Sequence, residues 1–207
     1  MRDTERESLY QSIDKMPTRE ILESINREDQ KIAKAVSQSL PQIEKVVEAA
    51  TARLIDGGRL FYLGAGTSGR LGVVDASELP PTYGVPDHWV QAFIAGGDSA
   101  IRKAVEDAED DPEGGWRDLQ SQNVSQEDLV LGIAASGTTP YVVGALERCQ
   151  KEGITTACIV ANPASPLEQV ADHPIVLHTG PEFITGSTRM KAGTAQKMTL
   201  NMISTAL

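Results

Sequence analysis

Apolar positions along this chain keep a helical rhythm first and then switch to short blocks. Residues 18–25 form one short amphipathic stretch, led by a capping hydroxyl at Thr18 and followed early by Glu20. Ile32, Val36, Leu40, Ile43, Val46, Val47, Ala50 and Leu54 then recur at helical spacing, with Pro41 able to restart or kink the run and Gly57-Gly58 ending it. Beyond residue 58 compact apolar blocks alternate with helical patterns. The blocks predict strands at residues 59–63, 89–94, 129–134, 155–160 and 174–177, with helices after most of them. Such alternation predicts an α/β fold, a three-layer sandwich in which a five-stranded parallel sheet is covered on both faces. The first fifteen or so residues read as mobile. A helical segment over residues 1–56 is expected to pack on a main domain over residues 57–207. The last pattern, from Gly186 onward, reads as a helix still running where the sequence stops.

Two turns in this alternation carry chemistry. A strand runs into Gly64-Ala-Gly-Thr-Ser-Gly69, and a second strand runs into Ala134-Ala-Ser-Gly-Thr-Thr139. Glycine lets backbone approach a ligand, and the free amides and dipole of a following helix attract an anion. Thr67 and Ser68 in the first turn, and Ser136, Thr138 and Thr139 around Gly137 in the second, add hydroxyl donors. Neither turn holds a lysine, which favours a phosphorylated small molecule over a nucleoside triphosphate. Capping of the next helix is the plain alternative for these hydroxyls. The first turn also fits the dinucleotide fingerprint, but Ala95-Gly96-Gly97 follows the second strand where an acidic residue is wanted. In parallel sheets ligands sit at the carboxyl ends of the strands, so both turns are expected to face one pocket.

Charge and composition narrow the partners. With 19 Lys+Arg against 29 Asp+Glu the formal charge is -10, which argues against nucleic acid or an anionic membrane. The two cysteines, Cys149 and Cys158, fall in apolar patterns and read as reduced core residues. The charged N-terminus is unlike a signal peptide, and no apolar run reaches membrane-spanning length, so a cytoplasmic protein is expected. Three histidines without ligand spacing imply no metal.

Three further places hold candidate groups. Glu78 lies toward the end of the helix after the first turn, where the dipole disfavours a negative charge; a raised pKa there suits a general acid, and a solvated glutamate is the alternative. An acidic cluster spans residues 106–113, with Ala104, Val105 and Ala108 on its packed side at helical spacing and Glu106 and Glu109 along one edge, either able to point inward. Ser187, Thr188, Arg189 and Lys191 open the last helix, where positive charge conflicts with the dipole unless an anion is near; Glu182 is a possible ion-pair partner.

These blocks together resemble the N-acetylmuramic acid 6-phosphate etherases of the sugar isomerase domain superfamily. The resemblance rests on residues 63–72, 75–84, 133–142 and 185–197, in the family's order, and extends from about Thr18 to the end. It implies a flavodoxin-like sugar isomerase domain in a bacterial, cytosolic homodimer with shared active sites, and the family's C-terminal helical region is absent here. It also implies cleavage of the lactyl ether to N-acetylglucosamine 6-phosphate and D-lactate during cell-wall sugar recycling, without metal or cofactor. By motif position Glu78 matches the proton donor and Glu109 the second catalytic glutamate, the base at carbon 2. Ser136, Gly137, Thr138 and Thr139 would hold phosphate, with Thr67 and Ser68 near it or the sugar, and Ser187, Arg189 and Lys191 as further substrate contacts. A non-catalytic sugar-phosphate regulator similar to glucokinase regulatory protein shares some of these blocks and is the alternative.

Overall fold

The computed structural model describes residues 3–207. Five strands, β1 (Leu60–Gly64), β2 (Val90–Ile94), β3 (Leu129–Ile133), β4 (Thr155–Val160) and β5 (His173–Val176), pair in parallel in the order β2-β1-β3-β4-β5. Period-two side-chain alternation divides each strand between two cores. Leu60 and Tyr62 of β1, Leu129 and Leu131 of β3, and Ala157 and Ile159 of β4 face one side. Phe61, Leu63, Val130, Cys158 and Val160 face the other. Both faces are therefore apolar, as a covered parallel sheet requires.

The first face is covered by α2 (Ile32–Gln38), α3 (Leu40–Ile55), α4 (Gly66–Tyr83) and α9 (Lys191–Ala206), through Val36, Val46, Ala76, Leu79, Leu200 and Ile203. The second is covered mainly by α6 (Gly114–Ser121), α7 (Pro140–Lys151) and α8 (Pro166–Val170), through Trp116, Leu119, Val142, Leu146 and Leu167. α1 (Thr18–Asp29) precedes α2, and the short α5 (Asp98–Arg102) follows β2. α2 and α3 share the cluster that holds the strand residues of their face, and Pro41 sits in the first turn of α3, where its missing N–H costs nothing.

Four local expectations are corrected. Thr18 is already helical and Pro17 stands at the cap position, without a side-chain bond. The mobility expected of residues 1 and 2 lies outside the described residues, but Thr4 is held in place: its N–H donates to Asn162 Oδ1 at 3.1 Å, and Asn162 Nδ2 donates to Thr4 Oγ1 at 2.7 Å. Ser8 is fixed at both ends, its Oγ donating to the Phe183 carbonyl at 2.7 Å and its N–H to Thr185 Oγ1 at 2.9 Å. The acidic cluster is not a continuous helix, because α5 stops at Arg102, Asp107 takes φ 62°, and only a 3-10 turn forms over Ala108–Asp110. Finally, the last helix starts at Lys191, so Ser187, Thr188 and Arg189 belong to the loop before it.

Candidate active site

The strand order reverses between β1 and β3, and both hydroxyl turns leave the sheet there. β1 delivers the chain to the start of α4 at Gly66, with Thr67 and Ser68 in the helix's first turn. Gly64 and Gly69 make this elbow tight: a Cβ on Gly64 would lie 2.7 Å from the Gly69 nitrogen. β3 delivers Ala134 to Thr139, and α7 begins at Pro140. Gly137 has φ +69°, and a Cβ there would lie 2.2 Å from Ser165 Oγ, so this elbow also needs glycine.

A cavity of about 500 Å³ opens where the two elbows meet, and Thr67, Ser68, Ser136, Thr138, Thr139 and Glu109 all line it. Its volume suits a small molecule. Thr139, the residue at the cap position of α7, makes no side-chain capping bond, and the cap position of α4 is Ala65, which has no hydroxyl to offer. Ser136 Oγ accepts from the Thr138 N–H and hydroxyl, both at 3.2 Å, which folds the second elbow around one centre. Ser68 Oγ donates to Gln196 Oε1 at 2.9 Å, and the Gln196 Nε2 is buried with no partner among the described residues. Asn162 Nδ2 also donates to the Ser136 carbonyl at 3.1 Å, and Glu5 joins the cavity wall, so the N-terminal segment is part of the site's enclosure.

A larger hollow of about 940 Å³ between α3 and α9, lined by Leu40, Ile43, Val47, Met198 and Met202, meets none of the motif blocks' hydroxyls or paired catalytic candidates. The candidate hydroxyls and Glu109 therefore gather at the elbow cavity and not at this hollow.

Not every candidate lies there. Within one chain Glu78 is on an exposed stretch of α4, twelve residues beyond Gly66, or about 18 Å along the helix at 1.5 Å per residue. The carboxyl that α4 does bury is Asp75, which accepts from Tyr62 OH, Asn201 Nδ2 and Ser204 Oγ, each at 3.1 Å. Burial pushes Asp75 above the usual carboxylate range, and those hydrogen bonds offset it only in part. Nothing in the helical pattern alone distinguished Asp75 from Glu78.

Lys191 is engaged within its own chain and lines neither the elbow cavity nor its neighbours. Its Nζ is 2.8 Å from Glu28 Oε2, with the side chains 3% and 4% exposed. Burial alone would raise the Glu28 carboxyl, but hydrogen bonds from Lys191, Lys31 and Tyr10 hold it down at about 2. The dipole conflict foreseen at this helix start is resolved by the protein's own acids, because Glu182 also accepts the Lys191 and Ala192 N–H groups at 2.8 and 2.9 Å. Of the loop before α9, Gly186 and Thr188 reach the cavity wall, whereas Ser187 and the exposed Arg189 do not. Gly137 shapes its elbow from behind the lining.

Comparisons with known proteins agree with this geometry. Residues 41–150 match the glucokinase regulatory protein N-terminal SIS domain, and residues 101–206 match the SIS domain. The chain is 59% identical over 204 residues to an N-acetylmuramic acid 6-phosphate etherase of Porphyromonas gingivalis, covering 99% of this chain and 74% of that protein. It is 57% identical to the Bacteroides thetaiotaomicron protein of the same name, with the same coverage. Among solved structures, a phosphoheptose isomerase from Francisella tularensis superposes with a TM-score of 0.73 at 16% identity, over 92% of this chain and 98% of that one.

Proposed function

We infer that this chain, which belongs to the N-acetylmuramic acid 6-phosphate etherase family, cleaves the D-lactyl ether of N-acetylmuramic acid 6-phosphate as a carbon-oxygen lyase. The products are N-acetylglucosamine 6-phosphate and D-lactate, and the setting is cytoplasmic recycling of cell-wall sugar. The observation that carries the reading is the single cavity lined by both hydroxyl elbows and Glu109.

The phosphate sits on the second elbow, where Ser136, Thr138 and Thr139 offer hydroxyls and the start of α7 offers amides. Thr67 and Ser68 complete the grip from the first elbow. With the sugar open, the aldehyde acidifies the proton on carbon 2. Glu109 removes it, the bond from carbon 3 to the ether oxygen breaks, and a carboxylic acid protonates the departing oxygen. Water then adds to the alkene. Two carboxyl groups in opposite protonation states suffice for these transfers.

The acid is Glu78 of a second copy. Glu78 is exposed in its own chain and stands among exposed apolar residues, with Val74 57% and Tyr83 50% exposed on the same helix. A homodimer formed over this face would cover that apolar surface and deliver Glu78 to the neighbouring cavity. No helix among the described residues is long and apolar enough to cross a membrane.

D-Lactate release from N-acetylmuramic acid 6-phosphate, followed with D-lactate dehydrogenase, tests the reaction; a protein that binds the sugar phosphate without turnover would instead fit the regulatory alternative. Subunit sharing has its own test. Glu78→Gln and Glu109→Gln chains, each inactive alone, should regain activity when co-expressed, because a mixed dimer keeps one site with both carboxyls. Failure to regain any activity in demonstrably mixed dimers would return Glu78 to its own chain or remove it from the reaction.

A further inference from the structure

We propose that Arg70 reads the lactyl carboxylate of the substrate in a side chamber next to the main cavity, an inference that rests on the etherase reading. The chamber has a volume of about 230 Å³ and shares Ala65, Gly66 and Glu109 with the elbow cavity. Its remaining walls include Ala95, Ala100 and Val105, with Arg70 on one side.

Arg70 is the single cation lining either space among the described residues. Its Nε donates to the Ile101 carbonyl at 3.0 Å, which anchors the guanidinium plane, while its terminal nitrogens make no ion pair or hydrogen bond with the described residues. Lys191 is consumed by Glu28, and Arg189 lies outside both linings. An anchored, unpaired guanidinium presents a two-pronged fork that matches a carboxylate.

The substrate supplies that carboxylate in the right place. It carries two anionic groups, and the phosphate is already met by neutral donors on the elbows. Glu109 stands on the border of the two spaces and addresses carbon 2, so a substituent on the adjacent carbon 3 projects beside Glu109, into the chamber. The chamber's alanine and valine walls accept the lactyl methyl, and its arginine accepts the acid. Glu106, Asp107 and Glu109 also line the chamber, but all three are exposed, so the high dielectric of water weakens their repulsion of the incoming carboxylate. N-acetylglucosamine 6-phosphate lacks the lactyl group altogether. Arg70 thereby distinguishes substrate from product, a task the phosphate elbows cannot perform.

The test compares the wild type, Arg70→Met and Arg70→Lys in lactate release and by calorimetry. Arg70→Met should raise KM for N-acetylmuramic acid 6-phosphate roughly ten- to hundred-fold, the worth of a charge-assisted pair, and leave binding of N-acetylglucosamine 6-phosphate unchanged. Arg70→Lys should fall between, restoring charge without the fork. A non-cleavable analogue bearing the lactyl acid should bind the wild type more tightly than its neutral lactamide twin, and this preference should vanish in Arg70→Met. Equal binding of acid and amide by the wild type overturns the assignment even where the variants fold poorly, as does a variant with wild-type KM. Absence of lactate release by the wild type would instead defeat the etherase reading, and the acid-amide comparison still decides Arg70.

Discussion

Replacing Lys191 by methionine separates a structural lysine from a substrate-binding one. Methionine keeps the length of the stem but removes the ammonium 2.8 Å from Glu28, in a place where the two side chains are 3% and 4% exposed. Breaking a buried pair on one side costs about 3 to 5 kcal/mol, because the remaining charge is left uncompensated. Here the loss lies at or below the low end, since Lys31 still donates to Glu28 Oε1 at 2.6 Å and Tyr10 at 3.0 Å. The acidity of Glu28 supports this: a fall from 4.5 to about 2 corresponds to about 3 kcal/mol, the net of what its partners supply after burial has worked against them. We expect Lys191→Met to cost about 2 to 3 kcal/mol, read as a urea midpoint lowered by about 1 M. The sign with pH follows. Glu28 is more acidic folded than unfolded, so its contribution is complete above pH 4.5 and fades as pH falls toward 2. The gap between wild type and variant should narrow over that window. An unchanged midpoint at pH 7 together with a ten-fold rise in KM would refute the structural role and return Lys191 to the substrate.

Asn162→Ala removes both bonds to Thr4 and the bond to the Ser136 carbonyl, so hydrogen exchange at residues 4–10 should accelerate and stability fall by about 1 to 3 kcal/mol; unchanged exchange would refute the tether. Gly137→Ala meets Ser165 Oγ at 2.2 Å with φ +69°, so it should lose about 2 kcal/mol or more and weaken sugar phosphate binding; wild-type affinity in calorimetry would count against the elbow. Burial pushes the Cys149 and Cys158 thiols up to about 12, so iodoacetamide at pH 8 should modify neither until urea unfolds the chain, as mass spectrometry would show.

The elements that came through in the sequence were those whose burial is local in origin. Apolar blocks such as residues 129–133 and 155–160 are buried on both faces, and the helical run from Ile32 breaks at Ser39 and restarts with Pro41 in the first turn of α3, where proline is tolerated. The elbows were legible for the same reason, since glycine and hydroxyl content is written in adjacent positions. What stayed hidden depends on partners far along the chain. Thr4 is ordered by Asn162, 158 positions away, and Lys191 is claimed by Glu28, 163 positions away. Apolar spacing over Ala104, Val105 and Ala108 imitated a helix that the positive φ of Asp107 interrupts, and Val105 ends 42% exposed. Arg70 and Gln196 stood inside recognised motif blocks, but spacing alone assigns neither one a contact.

The division of labour between the two spaces has a kinetic consequence. Substrate, alkene intermediate and sugar product all carry the same phosphate, so the elbows stabilise each of them alike. Binding of that kind lowers KM and leaves the barrier of the chemical step where it was. The rate must come from groups that address carbon 2, carbon 3 and the ether oxygen, which change between ground state and transition state. On our reading those groups are Glu109, at the border of the two spaces, and the Glu78 of a neighbouring copy, whereas Arg70, like the elbows, acts in capture of the substrate. Substitutions in the elbows should therefore appear chiefly in KM, as weaker capture of every sugar phosphate. Substitutions of the carboxyls should appear in kcat, and a variant such as Ser136→Ala that lost kcat at unchanged KM would break the division.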